Sequence, residues 1–258
     1  MVPAARLKRV NFPDYAELHC HSHFSFKEGA SSVEQLVLRA GELGYRALAL
    51  TDHDNLSGAM QFAQVSRSLG LHGIVGVEFT LKGGHHLTAL AETAEGYSNL
   101  CRLLSYSHVL SQERTEPALD PNLLPQHGRG LIVLSGCRKG EIPSLVQLGN
   151  MDEARDAAKR YTDLFGIQSF FLELQQNLVA GDTRRNRRLA DLAGELGIGV
   201  VATNSIHYHV REYHQLQDCL VAIRHCKTLE ETHQERRPNS EFFLKSPQEM
   251  AFLFKDCP

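Results

Sequence analysis

The sequence predicts one α/β domain, most economically a β/α barrel, and three observations carry that expectation. Short apolar runs alternate with longer amphipathic stretches along most of the chain. Composition does not shift from one such unit to the next, and no internal repeat or low-complexity segment interrupts them. The length of 258 residues suits a single barrel, a fold commonly built from about 250 residues.

The elements follow in order. "AELHCH" (16–21) reads as a strand, and "SSVEQLVLRAGELG" (31–44) as a helix with Ser31 or Ser32 as N-cap and Gly44 as its stop. "RALALTD" (46–52) is strand-like, and "SGAMQFAQVSRSLG" (57–70) is helical. "GIVGVEFTL" (73–81) and "HHLTALA" (85–91) read as strands joined in a hairpin through Gly83 and Gly84. A helix over 97–110, a Pro-rich loop over 116–130 and the strand "LIVLSG" (131–136) come next. Helix 151–166, strand 170–175, helix 183–199 and strand 200–205 continue the rhythm. Helices over 214–226 and 246–254 close it, the latter with Ser246 at N-cap, Pro247 at N1 and Glu249 at N3. The last roughly 35–50 residues leave the βα pattern. That divides the chain into a barrel core, 1–210, and a C-terminal helical part, 211–258, whose end without a closing signal suggests a piece of a longer protein.

Composition excludes several classes. A net charge of −3 is not that of a basic nucleic-acid-coating protein. The six cysteines show neither CxxC spacing nor a disulfide framework, so they read as reduced thiols of a cytoplasmic protein. No leader-like segment and no run of membrane-spanning length occurs, so no membrane partner is expected.

The fourteen histidines matter by position. In "ELHCHSHFSF", His19, His21 and His23 alternate, which is the period of a strand face. His19 and His21 end the first strand, Asp52 and His53 (with Asp54 following) the second, Glu78 lies in the "GVEF" strand, and Cys137 follows "VLSG". His207, with His209, follows strand 200–205, and His108 lies near the end of helix 97–110. In a barrel these strand ends meet on one rim, where active sites sit. Imidazole, carboxylate and thiolate from separate strands suit a polynuclear divalent-metal site, the usual solution for phosphoester hydrolysis. Arg138 and Lys139, beside Cys137, are placed to touch a phosphate, whereas the arginines of "RRNRR" (184–188) read as a solvated helix face paired with acids such as Asp182 and Asp191.

The stretch "ELHCHSHFSFKEGASSVEQLVLRAGELGYRALALTDHDNLSGA" resembles the opening of the polymerase and histidinol phosphatase (PHP) domain. "GYSNLCRLLSYSH", "LIVLSGCRKGEI", "VVATNSIHYH" and "EFFLKSPQEMAFLFKDCP" are similar to successive landmarks of the branch found in bacterial C-family DNA polymerases. The resemblance implies a distorted (β/α)7 barrel with a metal site at the C-terminal rim and two or three divalent ions, Zn²⁺, Mn²⁺ or Fe²⁺. It implies one ion on His19, His21 and Glu78, a second on Glu78, His108 and Cys137, and a third on Glu28, His53 and His207. Glu78, His53 and Arg138 are the residues expected to serve catalysis. The implied activity is metal-dependent phosphoesterase, extending to 3′–5′ exonuclease proofreading, with DNA or another phosphoester as substrate and a polymerase region or replication and repair proteins as partners.

One position departs from the branch. Its members commonly read "TNDxHY", and here "TNSIHY" puts Ser205 where a carboxylate completes the first metal site. A hydroxyl is the poorer ligand, so three outcomes are open: that ion is held weakly, it recruits Asn204 or water, or the site is hydrolytically crippled and the domain serves as a scaffold for the polymerase without turnover. A free-standing histidinol-phosphate-type phosphatase fits the polymerase-like tail less well. His23 is expected beyond the first turn and outside the ligand set; His85, His86 and His209 are expected to face solvent by default, the alternative being that they line the cleft and support a ligand or touch a phosphate.

Overall fold

The computed structural model describes residues 15–111 and 117–255. Six strands lie in chain order in one sheet: β1 (Ala47–Leu50), β2 (His72–Thr80), β3 (His86–Ala91), β4 (Leu131–Leu134), β5 (Phe170–Gln175) and β6 (Gly199–Thr203). Pairing is parallel for β1–β2, β4–β5 and β5–β6, but β3 runs antiparallel to both neighbours. Gly83 and Gly84, at φ +102° and +86°, make the tight β2–β3 turn that side chains with a Cβ adopt poorly.

The helices are α1 (Val33–Glu42), α2 (Ala59–Ser68), α3 (Ala94–Leu110), α4 (Leu124–His127), α5 (Glu141–Leu148), α6 (Met151–Phe165), α7 (Asp182–Leu196), α8 (His214–His225) and α9 (Pro247–Leu253). Reciprocal capping boxes start α1 (Ser32 with Gln35) and α9 (Ser246 with Glu249). The sequence pattern assigns nothing to α5, because Pro143 sits in it; the proline falls in the first turn, where a helix tolerates one.

The expected strand over 16–21 forms no continuous ladder. It is an extended segment with single bridges, Glu17 to Leu48 in β1 and Cys20 to Ile206 beyond β6. Ala49 and Thr51 donate to the Glu17 and Cys20 carbonyls, while on the other side His21 N donates to the Ile206 carbonyl at 2.8 Å and Ile206 N to the His19 carbonyl at 2.9 Å. With this segment as the seventh stave, the sheet curls into the distorted barrel. The reason for the broken ladder is Glu17. Its buried carboxylate, rather than a backbone carbonyl, accepts from Asn204 N (3.0 Å), His19 N (3.0 Å) and Tyr15 Oη (2.9 Å). Burial raises its pKa to about 7.

Strand alternation sorts the two faces of the sheet. Val77 and Phe79 of β2 and Phe170, Leu172 and Leu174 of β5 pack against Leu100 and Leu103 of α3, Tyr161 of α6 and Leu189 of α7. A second cluster joins Leu48 and Leu50 of β1 to Val33, Leu36 and Phe62 of α1 and α2. Each such side chain contributes roughly 1.5–3 kcal/mol by leaving water. The opposite face carries Glu78, Thr88, Glu173, Gln175 and Thr203, all buried, so the barrel interior is polar and hydrogen-bonded. No helix among the described residues is long and apolar enough to cross a membrane.

Residues 204–209 connect this interior to the C-terminal part. Asn204 Nδ2 donates to the Glu241 and Phe243 carbonyls, and Tyr208 bridges Phe243. Replacing Glu17 by Ala strips three buried donors of their acceptor. At 1–3 kcal/mol each the expected loss is about 3 kcal/mol or more, and a Tm lower by roughly 6–12 °C in thermal denaturation checks it.

Candidate metal centre

Glu78, in the interior-facing register of β2, is 3% exposed and ringed by four imidazoles. Its Oε1 lies 3.3 Å from His19 Nε2 and 3.2 Å from His86 Nδ1; its Oε2 lies 3.4 Å from His21 Nε2 and 3.2 Å from His53 Nδ1. Two sets of potential ligand atoms result, His19–His21–Glu78 and His53–Glu78–His86, sharing the one carboxylate.

The far nitrogen of three of these rings is held by oxygen. His19 Nδ1 meets Glu173 Oε1 at 2.7 Å, and His21 Nδ1 meets Ser25 Oγ at 3.0 Å, which in turn donates to Asp52 at 2.7 Å. His53 Nε2 meets Thr80 Oγ1 at 2.7 Å, and Thr80 donates to Asp54 at 2.6 Å. With the N–H turned to those acceptors, the near nitrogens present lone pairs to Glu78. This carboxylate–imidazole arrangement orients metal-binding histidines and raises their basicity.

Lone pairs gathered this closely require a cation. His19 Nε2 and His21 Nε2 are 3.1 Å apart, and Glu78 Oε1 and His53 Nδ1 are buried without a hydrogen bond. The two donor sets therefore fit divalent ions, with a proton as the competing occupant. Burial alone pushes His19 down, but Glu173 and Glu78 outweigh it and hold its pKa well above the usual histidine range. Burial drives His21 well below that range. Burial would raise Glu78, yet His86 and His19 hold its carboxyl well below the ordinary value. Burial, then Glu78, pushes the Cys137 thiol up.

The remaining sequence-derived residues are distributed unevenly. Cys137 Sγ is 3.4 Å from His86 Nδ1, at the edge of the cluster. His108 Nε2 instead binds the Asp54 carbonyl at 2.8 Å, away from the Glu78 donor sets. Glu28, 3.5 Å from His53 Nδ1, has its other oxygen engaged by Arg224 of α8. His207 directs Nδ1 to the Ser205 carbonyl at 2.7 Å, and its Nε2 accepts from Arg237. Glu28, His53 and His207 are not brought together as a donor set among the described residues.

Ser205 is buried, with φ +47°, and carries no carboxylate to the cluster. Asn204 is no substitute, because its amide is engaged by Glu241, Phe243, Asn177 and Lys245. His23 is exposed and stacks near Phe24, and His209 binds Ser31 at 2.8 Å. Arg138 lies 3.8 Å from Asp182. Of the "RRNRR" arginines, Arg184 and Arg187 are exposed, whereas Arg185 is buried on Asp182 at 3.0 Å and on the Gln175 carbonyl.

His86, expected at most to line the cleft, is a potential ligand, and Glu173 was not singled out by sequence reasoning. Because β3 is antiparallel, its N-terminal end lies at the rim, and the Gly83–Gly84 hairpin was the available signal. For Glu173 the available signal was a lone acid in the apolar run "FFLELQ".

The PHP domain family model matches residues 17–177. The chain belongs to the PHP family. Among its relatives is the error-prone DNA polymerase of Symbiobacterium thermophilum, 40% identical over 95% of this chain and 24% of that protein. DNA polymerase III subunit alpha of Treponema pallidum is 36% identical over 95% of this chain and 22% of its own length. The chain thus spans about a quarter of the length of these relatives. A solved structure assigned as a metal-dependent phosphoesterase of Bifidobacterium adolescentis superposes with a TM-score of 0.53 at 15% identity, covering 76% of this chain and 89% of that one. At that identity the likeness concerns the fold alone.

Two concavities open onto this PHP cluster. An outer groove of about 720 Å³ runs past His53 and His86 and is lined by Phe24, Phe26, Lys139 and Arg224. An inner cavity of about 140 Å³ reaches Glu78, Cys137, Ser205 and His207.

Metal affinity should depend on pH through His19. Below its raised pKa the ring holds the proton that an ion must displace, so Mn²⁺ binding weakens as pH falls and releases protons. Titration calorimetry in buffers of differing ionisation enthalpy measures both effects. Glu173→Ala, which frees the His19 tautomer, should weaken metal binding roughly 10–100-fold.

Proposed function

We propose that this PHP domain is the N-terminal module of a DNA polymerase III alpha-type protein and hydrolyses phosphoesters, the 3′ end of single-stranded DNA being the favoured substrate. The observation that carries the reading is the sharing of Glu78 by the His19–His21 and His53–His86 pairs. Paired divalent ions on such a donor set, when bound, polarise phosphoryl oxygen and lower the pKa of water. Around them the chain's own residues orient and bind. Glu173, Ser25 and Thr80 fix the ring tautomers, Lys139 and Arg138 stand beside the phosphate position, and Asp54 steadies Thr80 and, through its carbonyl, His108.

The outer groove favours a nucleic-acid strand over a small phosphoester. Phe26 is 79% exposed at its wall, next to Phe24, Lys139 and Arg224. Aromatic faces beside cations are how single strands are held without sequence preference. The relatives' names as DNA polymerases support the same substrate.

The scaffold reading rests on Ser205. An αL backbone suits Asp better than Ser, so Ser205→Asp is compatible with the local geometry and returns a carboxylate to the cluster. Under the scaffold reading, hydrolysis appears or rises strongly in Ser205→Asp while the native chain is inert.

The deciding assay is Mn²⁺- or Zn²⁺-dependent nucleotide release from 5′-labelled single-stranded DNA, run beside p-nitrophenyl phosphate. Release by the native chain that chelator removes and Glu78→Ala lowers at least 100-fold supports the hydrolase. No metal-dependent release from either substrate overturns it.

A further inference from the structure

Five arginines approach the site or its supports, and four of them lie against a carboxylate. Arg224 meets Glu28, Arg185 and Arg138 share Asp182, and Arg236 pairs with Asp218 at 2.9 Å. Arg237 differs. Its Nη2 donates to His207 Nε2, its guanidinium lies 4.4 Å over the Phe242 ring, and its Nε is buried with no hydrogen-bond partner. Among the described residues no carboxylate lies within ion-pair distance of it.

The partners fix both its charge state and its aim. His207 donates Nδ1–H to the Ser205 carbonyl, so its Nε2 can only accept, and the arginine stays the donor. An arginine guanidinium is not deprotonated in proteins, so Arg237 is a cation at neutral pH. The guanidinium therefore brings an uncompensated positive charge to the wall of the inner cavity, facing the space that Glu78, His86 and Cys137 share. Desolvating a cation there is costly without an anion to complete it. A guanidinium whose Nε–H is unused can meet the oxygens of a phosphoryl group in a fork.

We infer that Arg237 is a phosphate-binding residue, a fixed cation that holds a non-bridging phosphoryl oxygen in the inner cavity beside the Glu78 cluster. It stands on the His207 nitrogen that a third metal ion would need, and it supplies positive charge there in that ion's place. The inference rests on the phosphoester reading for the identity of the anion, but its test needs no turnover.

Inorganic phosphate is the probe. It is titrated calorimetrically into the Mn²⁺-equilibrated chain, with Mn²⁺ per chain measured by elemental analysis on the same samples. Arg237→Met is expected to keep the native metal content and lose at least 10-fold in phosphate affinity. Arg237→Lys, which keeps the charge and loses the fork, is expected to recover part of it, and unfolding curves verify that each variant is folded. Unchanged phosphate affinity in Arg237→Met at equal metal content overturns the inference, as does a native chain that binds no phosphate. A gain of one Mn²⁺ per chain with phosphate affinity kept also overturns it, making Arg237 a mere place-holder on a third-metal ligand. A chain that binds phosphate through Arg237 yet releases no nucleotide overturns the hydrolase reading alone.

Discussion

Everything at the rim is arranged around one buried carboxylate. Glu78 cannot be solvated, and four imidazole nitrogens approach its two oxygens at 3.2–3.4 Å. Such a cage is stable only if a cation sits within it, because lone pairs facing one another in low dielectric repel. The surrounding polar residues serve that requirement. Glu173, the Ser25–Asp52 pair and the Thr80–Asp54 pair each settle which nitrogen of a histidine is bare. The barrel's polar interior follows from the same demand, since Gln175 and Thr203 spend their hydrogen bonds on Glu173.

The βα rhythm, the capping boxes and the alternation that pairs His19 with His21 were legible in the sequence because each is a local property. Glu78 was legible as an acid in an apolar strand. The rest depended on chain direction and on distant partners. Assigning functional residues to C-terminal strand ends presumes parallel strands, and β3 runs the other way, which is why His86 was not placed among the ligands. His108 sits on the last turn of α3, within reach of the Asp54 carbonyl rather than of Glu78. Glu17 read as an ordinary residue of a strand, and nothing local tells that its side chain takes over the ladder's work at the seam.

The C-terminal part reaches into the chemistry rather than following it. Arg224 and Arg237 arrive from beyond the βα repeats and set the charge around Glu28 and His207. Buried Lys245 binds Asn204 Oδ1 at 3.1 Å, so the same segment also fixes the turn that carries Ser205 and His207. A cut at 210 would leave those groups without their partners.

The seam has a mechanical meaning. One side is the stave holding His19 and His21; the other is the stretch after β6 holding Ser205 and His207, and the backbone joins them by only a few bonds. The donor cluster lies on one side of that gap: His19 and His21 face Glu78, His53 and His86, and neither Ser205 nor His207 adds a donor to either set. An occupant gripping His19 and His21 from Glu78 fastens the early stave to the body of the sheet. Binding at the Glu78 sets would tie that stave to β2, while the seam beyond β6 rests on its few backbone bonds and on the Glu17 carboxylate.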